Sequence, residues 1–446
     1  MRDVIILAVI LGAAPLCFFR PYFGVLMWTW IAYFNPHRFG WGIAYNFPVA
    51  MLIGGATIAG LPFTKDTNRR LFNTQTVLLL LMWIWFVVTT WHASTDPVLS
   101  IHAADSWTEL NRVTKILLMT FITIYLVTSK EKLRYLYLVT TFSFGFFALK
   151  GAMFGTRTSG EFRVYGPPDS FIADNNAFGL AINMTLPMFY FLARSEQNKW
   201  VRRILYACFF AGIPAVLLTY SRGALLGLAV VLSFLAWKSK HRVLAGFASL
   251  VLAWAVLTFA PGKWMDRMSN FAHGHLDNSA ELRLNAWRYA FELAKHYPLT
   301  GGGMKTFIPE LYERFTPQLE FAGPHSIYFQ TLGEHGFVGL ALFLLLLGSS
   351  LLGLYFLRKR AQRVAAVSWI VPYSEMLEVS LLAFMISGAF LELANFDFFY
   401  QVIATVAILK ILMVKEMVLV RQSRLNVSVE LSEGELVEAG SPELVR

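Results

Sequence analysis

His325 and a scatter of arginines are the residues whose types can do chemistry in this 446-residue chain. His325 lies in Gly323-Pro324-His325-Ser326. A neutral imidazole near pH 7 accepts a proton, which suits a general base acting on a hydroxyl; a ring bonded to a backbone carbonyl is the plainer alternative. Arg222 lies in Thr219-Tyr220-Ser221-Arg222-Gly223, and residues 204–238 carry this single charge away from their ends. Two spans must share that length, so the turn between them dips below the outer surface. A cation costs about 2.5–3.5 kcal/mol at the midplane and less near an interface, so Arg222 either meets an anionic group or snorkels to lipid headgroups. Arg283 and Arg288 fall on an amphipathic helix over residues 278–296 and point about 140° apart. Arg283 and Trp287, at i and i+4, share a face. For either arginine alone, a solvated basic edge touching lipid phosphates is the alternative.

Weaker signals surround these. Arg163 precedes Asp174-Asn175-Asn176, which opens a span as a helix cap or as a substrate-contacting polar cluster. The run Leu299-Thr300-Gly301-Gly302-Gly303-Met304-Lys305 offers backbone N–H groups and Lys305 as an anion nest, without the Gly-Lys-Ser/Thr ending of a P-loop. His273, His275 and Asp277 have a metal-ligand look, but a polar loop explains them better, and no metal is expected. His335 reads as structural.

The elements that must position these residues follow from composition. The chain is 56% hydrophobic and 15% charged, against about a quarter charged in soluble domains, which excludes a soluble enzyme. The net charge of +10 sits in short clusters between apolar runs, a topology signal rather than a nucleic-acid surface. Cys17 and Cys208, each in an apolar run, exclude a disulfide framework and a Cys-rich metal site. No small-residue cleavage signal precedes Arg20, so the first span is expected to stay. Apolar runs recur at 3–19, 22–34, 47–62, 74–91, 112–128, 133–149, 175–193, 203–219, 223–237, 242–260, 327–357, 376–394 and 397–414. Lipid leaves no partner for an open backbone and nothing alternates with period two, so these are helices.

The expected fold is an all-α polytopic membrane protein with about 12, allowing 13, transmembrane helices. Basic clusters such as Lys65/Arg69/Arg70 and Arg358/Lys359/Arg360/Arg363 mark the cytoplasmic loops. Loops 92–111, 150–174, 220–222, 261–326 and 395–396 then face outward. The expected organisation is a bundle over 1–260, an outer catalytic loop over 261–326, C-terminal helices over 327–420, and a disordered cytoplasmic tail over 421–446. The helix at 278–296, capped by Asn278 and ended by Pro298, carries a stripe of Leu282, Ala286, Ala290, Leu293 and Ala294 and is expected at the membrane surface. Arg163, Arg222, Arg283, Arg288 and His325 thus gather on the outer side. With no transporter-like chain of carboxylates inside the spans, they suit a lipid-linked phosphate substrate.

The chain resembles the O-antigen ligase superfamily in its outward loop followed by His325-Ser326 and Gly333-Glu334-His335-Gly336-Phe337-Val338-Gly339. More narrowly, it resembles the O-glycosylation ligases associated with exosortase A systems, over nearly its whole length. The motifs include Leu26-Met27-Trp28-Thr29-Trp30, Asn35-Pro36-His37-Arg38, Tyr165-Gly166-Pro167-Pro168, Asp174-Asn175-Asn176-Ala177, Leu284-Asn285-Ala286-Trp287 and Pro324-His325-Ser326-Ile327-Tyr328-Phe329-Gln330. The resemblance implies a GT-C-like glycosyltransferase, metal-independent and without cofactor, at the periplasmic face of a Gram-negative inner membrane. Its partners would be a glycan on undecaprenyl pyrophosphate, an acceptor hydroxyl on protein Ser/Thr or on the lipid A core, and the bilayer, with no nucleic acid. His325 would be the base. Arg222, Arg283, Arg288 and Arg163 would hold the pyrophosphate, and Asp174, Asn175, Asn176, Trp287 and Lys305 would touch substrate. An O-antigen polymerase would use the same donor. A lipid-linked oligosaccharide flippase or other transporter would need alternating access, often built on repeats, and no repeat is visible.

Overall fold

The computed structural model describes residues 1–238, 246 and 278–439, with no strand among the described residues. Helices α1 (Arg2–Phe19), α2 (Pro21–Phe34), α3 (Ile43–Asn46) and α4 (Val49–Gly60) form an N-terminal module. Ile10, Cys17, Ile31, Val49 and Ile53 are its buried apolar cluster. Pro21 sits at the first position of α2, where its missing N–H costs nothing, so the runs flanking Arg20 are two helices.

The main bundle comprises α5 (Thr74–Thr95), α6 (Ala103–Leu126), α7 (Lys130–Arg157), α8 (Asn175–Ser195), α9 (Lys199–Leu217) and α10 (Arg222–Lys238). After the undescribed segment come α11 (Asn278–His296), α12 (Pro309–Phe315), α13 (Ile327–Ala361), α14 (Ile370–Gly388) and α15 (Asp397–Ala439). Helix α8 is the hub, packed on α9, α10 and α14. Small residues allow the close approach: Gly179 faces Ala224, and Gly227 faces Ser387.

Seven helices among the described residues are long and apolar enough to cross a membrane: α1, α5, α7, α8, α9, α13 and α14. The other expected runs differ for physical reasons. Helices α2 and α4 have only 14 and 12 residues and α10 has 17, while α6 carries Asp105, Glu109, Arg112 and Lys115. The apolar part of α15 is almost wholly buried in the bundle. The run 242–260, like the cluster His273, His275 and Asp277, lies outside the described residues.

Three expectations are corrected. Helix α11 lies against α13 and α12, and Ala286, Tyr289, Ala290, Leu293 and Ala294 are fully buried, so its stripe faces protein rather than lipid. The tail expected to be disordered from 421 continues α15 to Ala439; Leu and Glu, both good helix formers, recur there. The glycine run is not an open anion nest. Gly301 N donates to Tyr297 O at 2.8 Å, Gly302 N to Gly333 O at 2.8 Å and Gly303 N to Glu334 O at 2.9 Å. Those two acceptors border a break in α13, where Gly336 takes φ 67° and ψ −169°. The break leaves the carbonyls of the preceding turn without helical donors, and the glycine run supplies them. Gly301 (φ 60°) and Gly303 (φ 82°) take left-handed backbone to do so.

Candidate active site

His325 closes the loop that leads from α12 into α13. Two side chains fix this loop: Tyr312 Oη donates to Ala322 O at 2.6 Å, and Trp287 Nε1 donates to Pro324 O at 3.2 Å. Both anchors are themselves packed. Tyr312 stacks on Tyr289 at 3.9 Å, and Trp287 stacks on Phe329 at 4.9 Å with 8° between ring planes. The amphipathic helix thus spends its inner face holding the loop. His325 adopts φ 41°, a left-handed conformation that L-residues other than glycine visit sparingly and that clusters at functional sites.

The His325 ring makes no hydrogen bond among the described residues, which separates it from the carbonyl-bonded alternative. It is solvent-accessible yet walled by protein. That loss of hydration lowers its pKa below the usual 6.5, with the Glu392 carboxylate pulling it up, the Arg283 guanidinium pushing it down and Asp174 pulling it up. The ring is therefore neutral near pH 7. Geometry agrees: a Cβ built on Gly323 would sit 2.7 Å from Glu392 Oε2 and 3.9 Å from His325 Nε2. His335, by contrast, is buried in α13. Its Nδ1 lies 2.8 Å from Thr89 Oγ1 and its ring stacks on Phe86 at 4.3 Å, as a structural histidine should.

Arg222 opens α10, after a turn of only a few residues from α9. Tyr220 makes the turn with φ 59°, and its hydroxyl donates to Gly160 O. Val164 N donates to Leu218 O at 3.0 Å, so the α7–α8 loop that carries Arg163 lies along this turn. Asn175 Nδ2 donates to Thr219 O at 2.7 Å, which makes Asn175 a buried tether between α8 and the hairpin. Asp174 caps α8, accepting from Asn176 N at 2.8 Å and Ala177 N at 3.3 Å, and remains exposed toward His325. Asn176 donates its amide to the same Asp174 oxygen. The hairpin and the histidine loop meet at the α14–α15 connection: Gly223 abuts Phe390 and Gly323 abuts Glu392.

The structure brings Glu392, Arg283 and Asp174 within electrostatic reach of His325, sets Gly223, the residue after Arg222, against Phe390 of the same α14–α15 connection, and holds Arg163 beside the hairpin residue Tyr220. It separates others. Arg288 is exposed on α11 and is not among the charges acting on His325. Lys305 docks by its backbone N–H on Glu334 Oε1 at 3.2 Å. Sequence reasoning missed Glu392, because the apolar run 376–394 hid the end of α14 at Gly388; one of only two carboxylates in that run, with Glu378, it was the available signal. It also missed Arg112, whose guanidinium lies 4.5 Å over Phe171 of the α7–α8 loop and pairs with Glu109. Among the described residues no group of three or more metal-ligating side chains occurs.

Two family matches bear on this geometry. Residues 207–344 match the family described as O-Antigen ligase, a range that includes Arg222, Arg283, Arg288 and His325. Residues 1–197 match a family of unknown function, DUF5935. No curated protein matches the chain.

Proposed function

We propose that this protein is a membrane O-glycosylation ligase that moves a glycan from undecaprenyl pyrophosphate to an acceptor hydroxyl at the periplasmic face of a Gram-negative inner membrane. The observation that carries the reading is the neutral, unbonded ring of His325 beside Arg283 and Glu392, inside the stretch that matches O-Antigen ligase. His325 takes the proton of the acceptor hydroxyl as its oxygen attacks the anomeric carbon. The bond from that carbon to the phosphate oxygen breaks, and the electron pair leaves on the pyrophosphate. Arg222 and Arg283 hold that growing charge in a setting of low dielectric, where fixed cations stabilise it most. Arg163 meets the pyrophosphate from the outer loop. Glu392 stabilises the imidazolium that forms, as a carboxylate beside a catalytic histidine does. The lipid-linked donor is already activated, so the reaction needs neither nucleotide nor metal. The acceptor is a hydroxyl of a protein Ser/Thr or of the lipid A core.

The test follows a labelled undecaprenyl-pyrophosphate glycan in inner-membrane vesicles containing EDTA, with wild type and His325→Ala. Label moving to a protein band with wild type alone is the expected result. Label lengthening on lipid would make the protein a polymerase, and label only crossing the bilayer would make it a transporter.

A further inference from the structure

The end of the bundle opposite His325 offers a second kind of surface. Helix α15 starts at Asp397, within the electrostatic reach of Arg112, and Lys410 lies about 20 Å further along its axis. There the segment 67–73 and α15 enclose a pocket of about 460 Å³. Arg69, Arg70, Lys410 and Lys415 line it, and no carboxylate does. Thr67, Asn68 and Asn73 complete its polar side, and an apolar side is formed by Phe72, Ile411, Val414, Val418 and Leu419, of which all but Ile411 are exposed.

The cations differ in how they are held. Lys410 Nζ donates to Gln75 Oε1 at 2.6 Å, and Lys415 Nζ to Thr128 O at 3.2 Å. Arg69 and Arg70 are exposed and form no ion pair among the described residues. The neighbouring Asp66 is engaged by Lys132 at 2.8 Å. Helix α5 also begins here. Asn73 Oδ1 takes its first-turn amides at Gln75 (3.1 Å) and Thr76 (3.3 Å), so its N-terminus adds positive field rather than free donors. Four lining cations against one neighbouring carboxylate, Asp66, which pairs with Lys132 and also reaches Lys415, favour an anion. An exposed apolar wall continuous with them selects an anion that carries hydrocarbon, which a soluble phosphate does not.

We propose that this pocket holds the headgroup of an anionic phospholipid, with its acyl chains lying along α15 at Val414 and Val418. The site is separate from the glycan site and stands whichever reaction that site performs. Basic pockets between spans are a recurrent form of lipid recognition.

Full-length protein in phosphatidylcholine nanodiscs, with or without a minority of phosphatidylglycerol, is released and weighed by native mass spectrometry. Wild type should retain phosphatidylglycerol in preference to phosphatidylcholine. Arg69→Gln/Arg70→Gln should weaken that retention about thirtyfold, the loss expected for two near-surface cations. Val418→Glu, which places a carboxylate on the exposed wall, should weaken it too. Lys65→Gln, a charge change outside the pocket, should leave it unchanged. Equal retention of both lipids, an arginine variant like wild type, or an equal effect of Lys65→Gln would overturn the proposal. So would displacement of the lipid by inorganic phosphate.

Discussion

A base that loses hydration gives up its proton more readily, so the protein wall beside the His325 ring extends its neutral form below pH 6.5. The rate of transfer should hold steady through neutral pH and fall only as pH drops below that value. Glu392→Gln removes the charge that favours imidazolium and should move the acid limb lower, while Arg283→Gln should move it higher. Rates measured across pH decide this; a limb that neither variant moves would deny His325 the role of base. His325→Ala should abolish transfer and leave donor binding largely intact, and lost binding with normal residual turnover would contradict that role. Arg222→Lys keeps the charge but loses the forked, two-point grip on phosphate. At about 1.5–3 kcal/mol for a hydrogen bond to a charged group, it should cost roughly tenfold to a hundredfold in rate. Near-normal activity would make Arg222 a lipid anchor.

Elements hold these residues through a few contacts that single changes can break. Tyr312→Phe removes the hydroxyl bonded to Ala322 O and should cost about 1 kcal/mol, with a drop in rate as the His325 loop loosens. Gly336→Ala demands a Cβ 2.8 Å from Pro298 O at a left-handed φ and should destabilise by about 1–3 kcal/mol. Thermal unfolding in detergent reads both, and an unchanged midpoint for Gly336→Ala would mean the break in α13 is not required. What was legible in the sequence divides along the same line. The 278–296 helix and the pairing of Arg283 with Trp287 on one face were readable because helical period acts locally. The burial of the α11 stripe was not, since an apolar stripe looks the same whether lipid or protein covers it. Nor was the glycine run's docking, which depends on a break in α13 remote in sequence. Glu392 escaped because run length does not reveal where a helix stops inside apolar sequence.

At the scale of the molecule, the site is assembled from parts far apart in the chain: the loop before α8, the α9–α10 turn, the segment from α11 to α13 and the connection before α15. Such assembly places His325 and the Arg69/Arg70 pocket at opposite ends of the bundle, which the bilayer should keep on opposite sides. Both native cysteines are buried, so an introduced thiol dominates labelling by a membrane-impermeant maleimide. Lys65→Cys should react only from the cytoplasmic side and Glu320→Cys only from the periplasmic side. Reaction of both from one side would refute the assigned topology.

The left-handed backbone at His325 and Tyr220 has one more consequence. A fold that forces a bulky residue into such a conformation gives up heat resistance for a working geometry. His325→Gly relieves that conformation while deleting the side chain, so the dead enzyme should unfold no earlier than the live one, and a lower melting temperature would show that the ring itself braces the fold.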